Sequence, residues 1–529
     1  MTSSKPKRAE KFLGRRTWST KVTPAAYRRA RLLVRYGMPL TIFLVWAALY
    51  LPHLRTSPHW YGDETLTHYC SLWFSRGQPI HYALWNTFWS PHFPYQPIYC
   101  LVAGLFAQAT GGDIIGSRFF NTLLALGVAL IILRFGIRVL GIPAAFFASL
   151  LFLTYDQSII HFRMVYAHNA VALGFLVACL FVCRRPSRRA DLSAGLGLLV
   201  AAGAHPLFIH GALCSGLARL KRPRSWLPLA LPSAIYLLIT LSVLYFHFGD
   251  VLRHDLAQLY QTYTSRSGSD GGGGGWQTPL NIANFVTQDW FHIGAFLGLL
   301  ACCNRRYYKI AIFVGGIGFL LLQNRQNLTL FYYQAVIFLP LMCLAWGVLV
   351  RQLFVWSRPI WDSRTAWSIG RWAPCLLPFV LLVLMEPTVV KRQLRPRDYY
   401  WTTQSIGEVE TAAKWVNDHS TPIDLVICNQ NIAWLLHSQT AWYLQVVTWY
   451  GLPTQGYELG NPREKFRYDS SLERAKYVVI GDIDQRWTIG QPNVIKLFET
   501  MQREQWPVVW RGQFYLIAAN PRYLPRPNP

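Results

Sequence analysis

The sequence predicts a polytopic α-helical membrane protein of about eleven spans, closed by a small C-terminal α/β domain. Three observations carry that prediction. The chain is 52% hydrophobic and only 14% charged, whereas a soluble domain carries about 25% charged residues. Its acidic residues are sparse from Tyr36 to Arg392 and common after it. Its apolar runs alternate with short basic segments, the pattern by which a membrane protein fixes its orientation.

A span needs about 20 mostly apolar residues, fewer where aromatics and arginines anchor its ends. Runs of this kind lie at 36–54, 116–134, 141–160, 166–183, 190–206, 207–219, 226–247, 287–303, 307–323, 328–350 and 372–390. With the N-terminus inside, the loops expected to be cytoplasmic carry seventeen Lys/Arg. The much longer outer segments of the same region carry nine. An odd number of spans then puts the C-terminal part outside. The expected organisation is a basic cytoplasmic arm over 1–35, a transmembrane body over 36–392 and an extracytoplasmic α/β domain over 393–529.

The net charge of +26 is topological. Between Lys5 and Arg35 eleven Lys/Arg stand against the single acid Glu10, and most of the remaining excess sits in short loops. No Arg/aromatic groove or DNA-binding motif accompanies it, so a nucleic-acid partner is not expected. The ten cysteines include no CxxC and no Cys/His set at zinc spacing, which argues against a metal site built on them. Cys70 and Cys100 both fall on the expected outer side, where a disulfide is one option. The first 35 residues are too basic for a cleavable signal and lack a cleavage site, so the first span is expected to serve as an uncleaved anchor.

Two outer loops are long. The first, 55–115, is rich in Trp, Tyr, His and Pro, and its stretch Pro97–Ala109 suits an interfacial helix. The second, 248–286, holds Gly271–Gly275 and reads as a flexible loop or lid. In the C-terminal domain, helical patterns at Gln404–Asp418, Asn431–His437 and Asn493–Arg503 alternate with strand patterns at Asp424–Cys428 and Lys476–Gly481. A hairpin at Val508–Trp510 and Phe514–Ala519 ends the domain.

The sharpest local feature is Trp60-Tyr61-Gly62-Asp63-Glu64, just after the first span. One reading makes Asp63 the cap of a helix running through Thr67 and Leu72. The other makes it a general base at the membrane surface, its acidity adjusted by partial burial. Trp60, Trp73, Trp85 and Trp89 serve either the interfacial belt or stacking on sugar faces. Arg325, beside Phe331-Tyr332-Tyr333, is either a snorkelling anchor or a rest for a lipid phosphate. Asn327-Leu328-Thr329 matches a glycosylation sequon against a span end.

Four features in order, Tyr61-Gly62-Asp63-Glu64, Tyr95-Gln96-Pro97-Ile98-Tyr99, Gly111–Arg118 and the basic turn at Arg138–Gly141, resemble the GT-C glycosyltransferases of the protein O-mannosyltransferase and aminoarabinose-transferase type. The resemblance covers about residues 36–185, and the rest by architecture. It implies transfer of a sugar, with inversion, from a polyprenyl-phosphate donor to a glycan, lipid or protein acceptor on the outer face of a membrane, as expected of a bacterial cell envelope. Asp63 would be the base that activates the acceptor, with Glu64 assisting. Arg118, at the family's Arg position, would hold the donor phosphate, with Arg163 and Arg325 as further candidates on topology. Tyr61, His92 and Tyr95 would contact acceptor or sugar.

Two positions depart from the family pattern. His168 stands where many relatives carry a second Asp, and either hydrogen-bonds phosphate or acceptor or is a polar span end. Tyr95 and Gln96 replace a basic residue and a Pro, with His92 a possible substitute. No cofactor is assigned. A divalent metal stays open, with Asp63, Glu64 and Asp156 as the carboxylates to consider. The competing readings are a transporter, against which stand the lack of repeated halves and of mid-span acids, and a non-catalytic relative that binds lipid or glycan.

Overall fold

The computed structural model describes residues 32–77, 96–268, 277–287, 289–304, 306–322, 336–361, 405–454, 466–481 and 491–524, with Arg463 and Asp484. Residues 1–31 of the basic arm, the glycine run, the span expected at 372–390, the sequon, His92, Tyr95 and Arg325 lie outside them.

The first half is helical: α1 (Met38–Tyr50), α2 (Gly62–Ser75), α3 (Pro97–Ala109), α4 (Ile114–Leu140), α5 (Ile142–Thr154), α6 (Asp156–Phe162), α7 (His168–Val182), α8 (Arg188–Ala202) and α9 (Phe208–Ala218). α1 buries Ile42, Trp46 and Tyr50, an i, i+4, i+8 stripe on one face. Trp46 Nε1 donates to the Thr122 carbonyl at 2.7 Å, tying α1 to α4. α3 lies pressed between α2 and α4. A Cβ at Gly104 would overlap the Ser71 carbonyl, and one at Gly116 the Phe106 carbonyl, so only glycine allows both approaches.

Next come α10 (Trp226–Gly268), α11 (Gln277–Thr287), α12 (Trp290–Cys302), α13 (Tyr308–Leu322) and α14 (Leu339–Trp361). By length and composition Ile114–Leu140, Pro223–Val243 and Val336–Trp356 each suffice to cross a membrane. The other apolar helices are shorter, several of them packed as a bundle, and the protein is a multi-pass membrane protein.

Three expectations need correction. The run 141–160 is two helices, α5 and α6, bent by 61° at Tyr155, whose ψ of 128° is extended. Residues 248–268, expected as loop, continue α10, which is 43 residues long. The stretch after Asp250 is polar but made largely of helix formers such as Leu, Arg, Ala and Gln, so polarity alone misled. The helix expected over Asn431–His437 is shorter, a single turn over Gln430–Ala433.

The C-terminal region is α15 (Ile406–His419), β1 (Leu425–Ile427), α16 (Gln430–Ala433), β2 (Gln439–Ala441), α17 (Tyr443–Trp449), β3 (Ala475–Gly481), α18 (Pro492–Arg503), β4 (Val508–Arg511) and β5 (Tyr515–Ala519). The sheet order is β2-β1-β3-β5-β4. β1 runs parallel to β2 and β3, and β5 antiparallel to β3 and β4. Strand alternation gives it two faces. Leu425, Ile427, Val478 and Ala518 pack with Tyr443, Leu444, Val494 and Met501 of α17 and α18. Val426, Tyr477, Val479 and Ile517 face α15 and join the buried core of the membrane body. The sheet domain therefore sits directly on the helices of the first outer loop.

Candidate active site

α2 starts without a side-chain cap. Its N-cap is Tyr61, extended at φ −105° and ψ 140°, and Asp63 and Glu64 fall in the first helical turn. Asp63 is thus not the capping residue expected from the sequence. Both carboxylates instead lie where the exposed amides and the helix dipole favour negative charge.

The two neighbours have opposite surroundings. Glu64 is fully buried. Its oxygens take a bidentate pair from Arg118, Nε to Oε1 and Nη2 to Oε2, each at 2.7 Å. The Val165 amide adds a third bond at 3.0 Å. Arg118 is equally buried, and its Nη1 donates to the carbonyls of Leu54 at 2.8 Å, Pro58 at 3.0 Å and Arg55 at 3.3 Å. The forked geometry matches a guanidinium to a carboxylate and satisfies every nitrogen. Losing one partner of such a pair leaves an uncompensated buried charge, at about 3–5 kcal/mol.

Asp63 is solvent-accessible, and among the described residues none bonds its carboxylate. Burial nonetheless pushes its pKa up to about 6. Accessibility and desolvation coexist where solvent reaches a carboxyl that neighbouring segments otherwise wall in.

The wall is built from distant segments. Arg163–His168, the turn between α6 and α7, passes the start of α2, so that Val165 meets Glu64 and Tyr166 packs edge-on to Tyr61 at 6.0 Å. Tyr166 continues to His168 at 6.3 Å, and His168 to His205 at 4.6 Å. Arg163 caps the end of α1 through the carbonyls of Leu49, at 3.4 Å, and Pro52, while its buried Nε has no partner among the described residues. Below this lies a polar knot in which Tyr99 and Asn169 meet Asn121 at 3.0 and 2.8 Å.

The other wall comes from the C-terminal domain. Thr65 Oγ1 lies 3.0 Å from Asn431 Oδ1 of α16. Trp434 packs edge-on against both Trp60 at 5.2 Å and His68 at 5.0 Å. His68 contacts the Gly112 carbonyl at 3.2 Å and Ser117 Oγ at 3.0 Å. Burial pushes it down to about 4, so it is neutral at pH 7 and Nε2–H donates to Gly112. Arg55 bridges the α4 cap Asp113 at 2.7 Å and Glu410 of α15 at 2.5 Å. These contacts dock the segment that follows α1 against the C-terminal sheet domain.

The structure thus brings together Asp63, Glu64, Arg118, Tyr61, Arg163 and His168. Sequence reasoning missed Val165, Tyr166, His205, Asn431 and Trp434; none stands in a motif, and Trp434 lies hundreds of residues from its partners. The carboxylates do not form a chelate. Both Glu64 oxygens are turned to Arg118, and among the described residues no group of three His, Cys, Asp or Glu has metal-binding geometry. Cys70 and Cys100 are buried free thiols.

No family model matches the chain, and no curated protein matches it by sequence. Its fold does match solved structures. ArnT from Cupriavidus metallidurans, in the apo state and bound to undecaprenyl phosphate, aligns with a TM-score of 0.61 at 14% identity, over 94% of this chain and 100% of that one. The archaeal oligosaccharyltransferase AglB from Archaeoglobus fulgidus, in complex with an inhibitory peptide and a dolichol-phosphate, aligns with a TM-score of 0.50 at 11% identity, over 93% of this chain and 75% of that one. The chain has the GT-C fold of lipid-linked glycosyltransferases.

Proposed function

We propose that the protein is a membrane glycosyltransferase. In this reading it moves a sugar from a polyprenyl-phosphate donor to an acceptor on the extracytoplasmic face, with inversion. The observation that carries it is the split within the acidic pair: Glu64 is committed to Arg118, while Asp63 is accessible, unpartnered among the described residues and shifted to about 6. A carboxylate so placed is deprotonated at neutral pH yet basic enough to take a proton in a transition state. Asp63 accepts the proton of an acceptor hydroxyl or amine as the acceptor atom attacks the sugar's anomeric carbon. The bond from that carbon to the phosphate oxygen breaks, and polyprenyl phosphate leaves with the electron pair.

Arg118 acts in this reading as a positioning residue: it fixes Glu64 and through it the first turn of α2. The unpartnered Nε of Arg163 and the imidazole of His168 are the donors proposed for the leaving phosphate, with Arg325 as a further candidate. Tyr61, together with His92 and Tyr95, is proposed to contact acceptor or sugar. Solved GT-C proteins with bound undecaprenyl phosphate and dolichol-phosphate support the donor class.

The test is an assay of purified protein with a panel of radiolabelled polyprenyl-phosphate sugars and crude membrane acceptors, wild type beside Asp63→Asn. Label in an acceptor that vanishes in the variant supports enzyme and base together. Activity that survives removes Asp63 from the role. No consumption of any donor overturns the reading.

A further inference from the structure

On the membrane face opposite the acidic pair, α4, α7 and α8 surround a cavity of about 410 Å³. Its position follows from α4 alone: Arg138 stands twenty residues beyond Arg118, about 30 Å at 1.5 Å per residue, the thickness of a hydrocarbon core. Arg138, Arg184, Arg185 and Arg189 line the cavity with Ser187 and Phe181, and among the described residues no carboxylate does. Asp191, the acid of α8's first turn, is buried and bonded to Arg219 at 2.9 Å.

Arginines that only orient a chain reach into water and need no other partner. Arg184 does not follow that pattern. Its guanidinium is held over the rings of Phe135 at 5.0 Å and Phe181 at 4.6 Å, and its Nη2 is buried with no hydrogen-bond partner among the described residues. A buried, unpaired guanidinium donor among three like charges is costly unless an anion supplies the acceptor. Ser187 caps α8 through Ala190 N at 3.2 Å, and the positive end of the helix dipole adds to the same field. Planar forked donors converging on one cavity suit tetrahedral oxyanions that take two bonds from each guanidinium.

We propose that this cavity binds a phosphate group, on the opposite side of the membrane from Asp63 and independently of the transfer reaction. The group comes either from a phospholipid headgroup at the interface or from a soluble phosphate ester. Full-length protein in detergent is titrated with dioctanoyl phosphatidylglycerol and, separately, with inorganic pyrophosphate, following the thermal unfolding midpoint. Saturable stabilisation is expected, and R185Q/R189Q, whose side chains are exposed and so leave packing intact, should weaken it about tenfold or more. R222Q/R224Q, exposed and on the same face outside the cavity, should titrate like the wild type. Stabilisation by the lipid alone assigns a headgroup site, and stabilisation by pyrophosphate as well assigns a site for the phosphate itself. If neither ligand stabilises the wild type, or R222Q/R224Q weakens the response as much as R185Q/R189Q, the proposal is overturned in favour of diffuse surface charge.

Discussion

At one end of α4, Arg118 has no accessible surface and gives its guanidinium to Glu64 and three backbone carbonyls. At the other end, Arg138 borders a cavity with three more arginines and, among the described residues, no carboxylate. The same residue type on the same helix is scaffold in one place and unspent binding capacity in the other, and the partner decides which. Adjacent carboxylates on α2 repeat the contrast: Glu64 is saturated with donors, while the carboxylate of Asp63 is accessible and unbonded among the described residues. In the carboxylate pair the saturated member also fixes the helical turn that carries the other.

The comparison breaks most visibly if the sealed pair is opened. Arg118→Ala should cost about 3–5 kcal/mol of stability and abolish transfer with it, as seen in detergent unfolding curves beside product formation. A variant that melts like wild type would show that the Glu64 contact is no scaffold. Asp191→Ala, which strands the buried Arg219, should behave in the same way for stability.

Asp63→Asn should do the reverse. Removing a general base lowers the transfer rate by about 10²–10⁴-fold, while the melting midpoint should not fall, because a carboxyl raised to about 6 by burial is destabilised by its own charge. For the same reason the wild-type rate should fall as pH drops through about 6: Asp63 is protonated there and cannot accept a proton. A rate flat from pH 7 to 5 would remove Asp63 from that role.

Asn431→Ala and Trp434→Ala sharpen the comparison at the second wall. Loss of one hydrogen bond or of two edge-on ring contacts should cost about 1–2 kcal/mol and lower transfer by about tenfold through misplacement of α2. Unchanged rates in both variants would relieve the C-terminal domain of any part in positioning. The smallest effect is expected from R185Q/R189Q without ligand, whose stability should stay within about 0.5 kcal/mol of wild type.

How legible this was depended on range. Patterns of a few residues were readable: α15, β1, β3, α18 and the β4–β5 pair lie where alternation and helical spacing put them. β2 escaped because Gln439-Thr440-Ala441 has no strand pattern and is a strand only through its parallel pairing with β1. α10 escaped because its second half has a loop's polarity and a helix's residues. Glu64 and Arg118 were both recognised, one as an assistant and the other as a phosphate ligand. That each is the other's partner depends on a contact across 54 positions, which no local spacing encodes. The same holds more strongly for Asn431 and Trp434.

The Thr65–Asn431 contact spans 366 positions, and that separation is also a delay. A chain made from its N-terminus at about 5–20 residues per second needs roughly 20–70 s between synthesising the two. Through that interval α2 already carries its carboxylates, but the domain that presses on its first turns has yet to be made. A nascent chain therefore holds Asp63 and Glu64 before the contacts of Asn431 and Trp434 that flank them in the finished fold.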